Sequence, residues 1–170
     1  DFVDTLTLLT PYEKEDQIPK KTRYIAVDKS QRIFELTEIK NNVWHSGNTT
    51  RFTNKMIQPY DMTILADFGH GCFEGDVLSM CNNIKNFIAL NVQTNSSNFG
   101  FNPFTRHKRF DYLSLDTREY QIAFHDRISP PLDLFRRVQK NINLNLSLTL
   151  GKNVAYYYGN GVEVFSPAFV

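Results

Sequence analysis

Residues 141 to 150 read NINLNLSLTL. Ile142, Leu144, Leu146, Leu148 and Leu150 alternate without a break with Asn141, Asn143, Asn145, Ser147 and Thr149, the period-two spacing of a β-strand with one dry and one wet face. Strands of a parallel sheet usually read as continuous apolar runs, because helices cover both faces. The alternation therefore predicts an antiparallel sheet and counts against a doubly wound enzyme.

Working outward, strand-like runs occur at 2–9, 23–28, 32–39, 60–66, 87–93, 110–116, 119–125, 154–158 and 162–165. Two pairs read as hairpins: 23–28 with 32–39, and 110–116 with 119–125 across the short link Thr117-Arg118. Helices are predicted at 76–86, with Asp76 as N-cap, and at 132–140 after Pro130 and Pro131. Polar stretches at 41–55 and 94–109 read as long loops. Many short strands with few helices predict an all-β or β-dominated chain, an antiparallel, jelly-roll-like β-sandwich with one or two short helices in its loops.

The chain has 170 residues, the size of one domain, so 1–170 reads as a single sandwich. Nineteen Lys and Arg against 18 Asp and Glu give a net charge of +1, which offers no global field to draw nucleic acid or an anionic membrane. No apolar run is long enough to span a bilayer, and the first residues carry no basic signal-peptide region, so membrane insertion is not expected. A start at Asp1 points to processing, or to a piece of something longer. Sequons stand at Asn48, Asn95 and Asn145.

DFGHGCFEGDV at 67–77 is the candidate site motif. It follows a strand-like run and precedes a helix-like one, the context of a glycine-rich cofactor loop. Asp67, Gly69, Gly71 and Gly75 resemble the first motif of S-adenosylmethionine-dependent methyltransferases. That resemblance implies an α/β enzyme in which these residues approach the cofactor, and an acidic residue that ends the next strand binds the ribose. Here the next strand ends in Gln93 and Asn95 and supplies no carboxylate. The preferred reading makes the glycines a strand exit with positive φ angles, with no cofactor.

Cys72 and Cys81 are too few for a disulfide framework and, with His45, His70, His107 and His125, show no zinc-ligand spacing, so no metal and no catalytic residue is assigned. TRHKRF at 105–110 gathers Arg106, His107, Lys108 and Arg109 between Phe104 and Phe110 and is read as a solvated binding loop. Fourteen Phe and 8 Tyr exceed an ordinary small core, and consecutive Tyr156, Tyr157 and Tyr158 must point to both faces of a strand, which predicts an aromatic contact surface.

From Phe110 to Leu150 a strand pair, a proline turn and a long alternating strand follow one another. This order is similar to the carboxy-terminal strands of single jelly-roll minor capsid proteins of DNA viruses and Maverick-type elements. The resemblance implies a non-enzymatic structural or attachment module of a virion or extracellular setting. Its partners would be other protein subunits, copies of itself or a surface glycan. The alternatives are the methyltransferase-like enzyme and a secreted carbohydrate-binding sandwich.

Overall fold

The computed structural model describes residues 3, 5–10, 18–28, 31–39, 60–95, 98–141, 144–151 and 154–167. Two strands, β1 (Lys20–Ala26) and β2 (Gln31–Glu38), form an antiparallel hairpin. The remaining elements are β3 (Met62–Asp67), α1 (Gly75–Cys81), β4 (Phe87–Val92), a 3-10 turn (Phe104–Arg106), β5 (Tyr112–Asp116), α2 (Thr117–Ala123), α3 (Pro131–Asn141), β6 (Asn145–Thr149), β7 (Val154–Gly159) and β8 (Val162–Pro167). A six-stranded sheet runs in the order β3-β4-β5-β6-β7-β8.

Strands β3 to β6 are mutually parallel; β7 runs antiparallel to β6, and β8, paired antiparallel with β7, returns to the direction of β3 to β6. The chain is an α/β fold, so the expected antiparallel sandwich is wrong. The reason lies in the coverage of the sheet. Each parallel strand sits beside its predecessor on the same side, and right-handed crossovers then place every helix on one face. That face carries Leu65, Ile88, Leu90, Val92, Leu113, Leu115, Leu146 and Leu148, buried under Val77 and Cys81 of α1, Tyr120 of α2, and Leu134, Phe135 and Val138 of α3. The opposite face carries Ala89, Asn91, Tyr112, Ser114, Asn145 and Ser147, none of them fully buried. NLSLT alternates because only one side of its strand is packed on helices among the described residues, and alternation reports coverage, not strand direction.

The open face is joined by side-chain hydrogen bonds. Tyr112 Oη donates to Ser147 Oγ at 2.8 Å, Ser147 Oγ donates to Ser114 Oγ at 3.0 Å, and Asn91 Nδ2 donates to the Ser114 carbonyl at 2.8 Å.

A second correction concerns 117–125, expected as the return strand of a hairpin and folded as α2. Asp116 is its N-cap: the Asp116 carboxylate accepts the Glu119 amide at 2.9 Å, and the Glu119 carboxylate accepts the Asp116 amide at 2.8 Å. This reciprocal capping box satisfies two N–H groups that a helix start otherwise leaves without partners. Its Tyr120, whose hydroxyl donates to the Ser147 carbonyl at 3.2 Å, packs edge-on against Phe104 and Phe135.

The other elements fall closer to expectation. The expected hairpin of 23–28 with 32–39 forms as β1–β2 and the strands expected at 154–158 and 162–165 pair antiparallel; the helix expected at 76–86 runs Gly75–Cys81 with Glu74 at its N-cap and Asp76, the expected cap, in its first turn; and Pro131 opens α3, where its missing N–H interrupts no bond. The described residues between 3 and 10 form no strand, and the loop expected at 41–55 lies outside the described residues. Among the described residues no helix is long and apolar enough to cross a membrane.

Leu146 is 0% exposed, so Leu146→Ala is expected to cost roughly 2 to 5 kcal/mol. Ser147→Ala, on the open face, should cost only about 1 kcal/mol, the worth of its hydrogen bonds. Urea denaturation of the two variants checks this, and equal losses would show the two faces to be equally packed.

Candidate functional site

Four parallel strands deliver their carboxyl ends to one edge, where open α/β sheets bind ligands. Asp67 ends β3 there and is buried. Its Oδ1 accepts the Gly69 amide at 2.9 Å and its Oδ2 accepts Nε2–H of His107 at 2.9 Å. Its carbonyl accepts the Gln93 amide at 2.8 Å and Asn102 Nδ2 at 3.3 Å. Burial would raise the Asp67 pKa, but the hydrogen bonds from His107 and Gly69 outweigh it and hold the carboxyl below its usual range. Nδ1 of His107 is buried without a hydrogen-bond partner, and the Phe73 ring meets the imidazole edge-on at 5.8 Å.

Amide side chains tie the loop after β3 to the loop after β4. Asn98 Nδ2 donates to the carbonyls of Phe68, at 3.0 Å, and Gln93, at 3.1 Å, and Asn95 Nδ2 donates to Phe68 at 3.0 Å. Gly69 adopts φ +66°, and a Cβ there would sit 2.0 Å from Asn98 Nδ2. Glycine is therefore required twice over, for backbone conformation and for space. Glu119 extends the tie to β5: besides capping α2 it accepts the Thr94 amide at 3.1 Å. Burial pushes its carboxyl above the ordinary range, with the backbone hydrogen bond from Asp116 acting in the opposite sense.

The outer rim is formed by Phe68, His70, Phe99, Arg118, Asp116, Thr149 and Gly151, all at least partly exposed. The Arg118 guanidinium lies 4.9 Å over the Phe99 ring. Burial and the charge of Lys21 lower the His70 pKa, opposed by Asp67, so the neutral imidazole is favoured as a hydrogen-bonding group. Burial pushes the Cys81 thiol up to about 12, which leaves it unreactive, and no disulfide joins it to Cys72.

The basic segment expected as a solvated binding loop is divided instead between the two edges of the sheet. Arg106 donates to Asn102 Oδ1 at 2.7 Å and to the Phe73 carbonyl at 3.1 Å, and pairs with Glu74 at 2.8 Å. His107 is 3% exposed. Lys108 is exposed, its amide held by Asn82 Oδ1. Arg109 turns to the amino edge, where it donates to the carbonyls of Ile84 and Asn86. The three tyrosines likewise form no common surface. Tyr156 and Tyr158 pack against the core, while Tyr157, on the other face, donates to Asn145 Oδ1 at 3.2 Å and fills the space above Gly159. Gly69, Gly71 and Gly75 have positive φ angles of 66°, 82° and 51°. Asn98, Asn102, Asp116 and Glu119 were not singled out from sequence, and Asn95 was noted only as a sequon and a strand end; for Asp116 and Glu119, D-T-R-E was the available signal.

No protein-family model and no curated protein matches the chain. Solved structures of kinases do. A 2-dehydro-3-deoxygluconokinase from Thermotoga maritima superposes with a TM-score of 0.60 at 9% identity, over 87% of this chain and 53% of its own. A phosphomethylpyrimidine kinase from Clostridium difficile gives 0.53 at 7% identity, over 85% and 67%. A fructokinase from Vibrio cholerae, solved with fructose, ADP and potassium ion bound, gives 0.50 at 8% identity, over 86% and 50%. At these identities the likeness shows the fold. The chain spans about half the length of the gluconokinase and the fructokinase. These neighbours overturn the capsid resemblance, and with it the structural and viral reading; they lend no support to the methyltransferase-like or carbohydrate-binding sandwich alternatives.

Because the folded pKa of Asp67 is depressed, its contribution to stability is present above the unfolded value of about 3.8 and is lost as pH falls through the lower folded value. Asp67→Asn should therefore lose roughly 1 to 3 kcal/mol at neutral pH and show a flatter acid limb when melting temperature is followed from pH 7 downward. An unchanged acid limb would remove Asp67 from its proposed part in holding the edge.

Proposed function

We propose that the chain is part of a small-molecule kinase that transfers the terminal phosphoryl group of a nucleoside triphosphate to a hydroxyl of a small polar compound. The carrying observation is the carboxyl edge of a sheet whose fold is shared with sugar kinases and a phosphomethylpyrimidine kinase, lined by cross-linked loops with amide, imidazole, carboxylate and guanidinium groups. In the reaction the acceptor oxygen bonds to the terminal phosphorus, the bond to the bridging oxygen breaks, the hydroxyl proton passes to a base, and the nucleoside diphosphate leaves. Such chemistry depends on positioning more than on covalent participation, and a rigid edge supplies it.

The roles follow from which groups are already committed. Asp67 and Glu119 spend their oxygens on hydrogen bonds within the protein, so they position loops. His70 and Arg118, on the rim, are the ligand contacts. Gly151, with φ +59°, lies two residues beyond the end of β6 with open space where a Cβ would stand.

Titration calorimetry of the chain with ADP and with a non-hydrolysable ATP analogue tests the reading. Binding in the micromolar to millimolar range is expected, weakened about tenfold in Arg118→Ala. No heat with either nucleotide, and no phosphorylated product by phosphorus NMR on a panel of sugars and hydroxymethyl heterocycles, would contradict it.

A further inference from the structure

A neutral imidazole carries its hydrogen on Nδ1 or on Nε2, and the other nitrogen accepts. For His70, on the loop after β3, the choice is set by Asn95, on the loop after β4, and follows from counting donors.

Asn95 is oriented by backbone groups whose roles are fixed. Its Oδ1 accepts the Asn98 amide at 3.2 Å, and a backbone N–H can only donate. Its Nδ2 meets the Phe68 carbonyl at 3.0 Å, and a carbonyl can only accept. Flipping the side chain would set oxygen against oxygen and N–H against N–H, so one orientation survives. The second hydrogen of Nδ2 is left for His70 Nε2, 3.4 Å away. The amide NH2 group only donates, so Nε2 accepts and the ring proton sits on Nδ1. The ring itself is seated beside Phe68, whose ring lies tilted at 6.5 Å and whose carbonyl is also held by Asn98 Nδ2 at 3.0 Å.

Partial burial lowers the His70 pKa, so the ring is neutral at pH 7. A second proton would have to enter at Nε2, against the Asn95 N–H. His107 is the opposite case, since its Nε2–H donates to Asp67. The two histidines of this edge therefore hold opposite tautomers.

Among the described residues Nδ1–H of His70 has no hydrogen-bond partner, and the side chain lies half-buried on the rim. A group that donates and cannot accept is complemented by an oxygen that accepts and cannot donate, as a phosphoryl oxygen does. A hydroxyl that must lose its proton needs an acceptor instead, which this nitrogen is not. We infer that Asn95 is a positioning residue that fixes His70 as the Nδ1–H tautomer, and that His70 donates to a phosphoryl oxygen of the nucleotide and does not take the proton of the acceptor hydroxyl. The ligand contact rests on the kinase reading above; the tautomer rests on Asn95 alone.

Nitrogen-15 NMR of the histidine rings of the whole chain at neutral pH reads the tautomer, the His70 signals being those lost in His70→Gln. Nδ1 of His70 should be protonated and Nε2 bare, the reverse of His107, which is the internal reference. In Asn95→Asp the carboxylate can only accept, so the His70 proton should move to Nε2. A wild-type His70 protonated on Nε2, or an unchanged tautomer in folded Asn95→Asp, overturns the inference. Calorimetry with ADP reads the contact. Asparagine places its amide N–H where histidine has Nδ1, and glutamine where it has Nε2. His70→Asn should therefore stay within about threefold of wild type, and His70→Gln should bind about tenfold more weakly. Equal ADP affinity in wild type and His70→Gln, or equal losses in the two variants, overturns the donor role and leaves the kinase reading intact. A loss of adenosine affinity in His70→Gln also overturns it, since the contact would then be to base or ribose. No ADP binding by wild type refutes the kinase reading, and the ligand contact falls with it, while the spectrum still decides the part of Asn95.

Discussion

The hydrogen bond between Asp67 and His107 joins residues 40 positions apart, and the loops of the carboxyl edge depend on it. A carboxylate taken out of water is costly unless its oxygens are satisfied. Here one oxygen is satisfied by the loop that follows its own strand and the other by a histidine from beyond the 3-10 turn. The same residue's carbonyl draws in Gln93 and Asn102. Four segments are thereby fixed about one residue, two by its carboxylate and two by its carbonyl. Arg106, next to the histidine, carries the network on to Asn102, Phe73 and Glu74.

This joint explains why Gly69 of DFGHGCFEGDV stands where it does. A short side-chain-to-backbone turn from Asp67 to Gly69 forces a left-handed residue, and the Asn98 amide packed against it excludes a Cβ. Gly69 serves close packing between loops, whereas Gly71 and Gly75, at φ +82° and +51° with open space where a Cβ would stand, serve backbone conformation alone. Burial of the sheet on one face provides the rigid base, with β3 to β6 clamped beneath the helices and their carboxyl ends held in register.

Parts of this were readable in the sequence. The alternation at 144–150 correctly marks Leu146 and Leu148 as core, because period two reports which face is dry. It carries no information on strand direction, which is set by the crossovers, and a parallel sheet packed on one face imitates an antiparallel one. Asp116-Thr117-Arg118-Glu119 is a capping box in plain view, yet a short polar link between two apolar runs also fits a hairpin turn, and the β-forming Tyr120, Ile122 and Phe124 favoured the wrong choice. The positive φ of the motif glycines follows from composition. The Asp67–His107 contact does not, since nothing local links a strand end to a basic segment so far downstream. The β-bulge of the β1–β2 hairpin, where Tyr24 pairs with Phe34 but Ile25 with Arg32, is likewise a matter of register between two strands, invisible in either alone.

The central claim is that small ligands are held at the carboxyl edge of this sheet, on loops locked by Asp67. Hydrogen–deuterium exchange with and without ADP addresses it most directly, since bound ligand slows exchange where it contacts or orders the backbone. The account predicts added protection at 67–75, 93–95, 98–102, 116–119 and 149–151, with none at the amino edge around 82–86 and 108–111. Protection confined to the amino edge or to the open sheet face, or no change anywhere under saturating ADP, would contradict it.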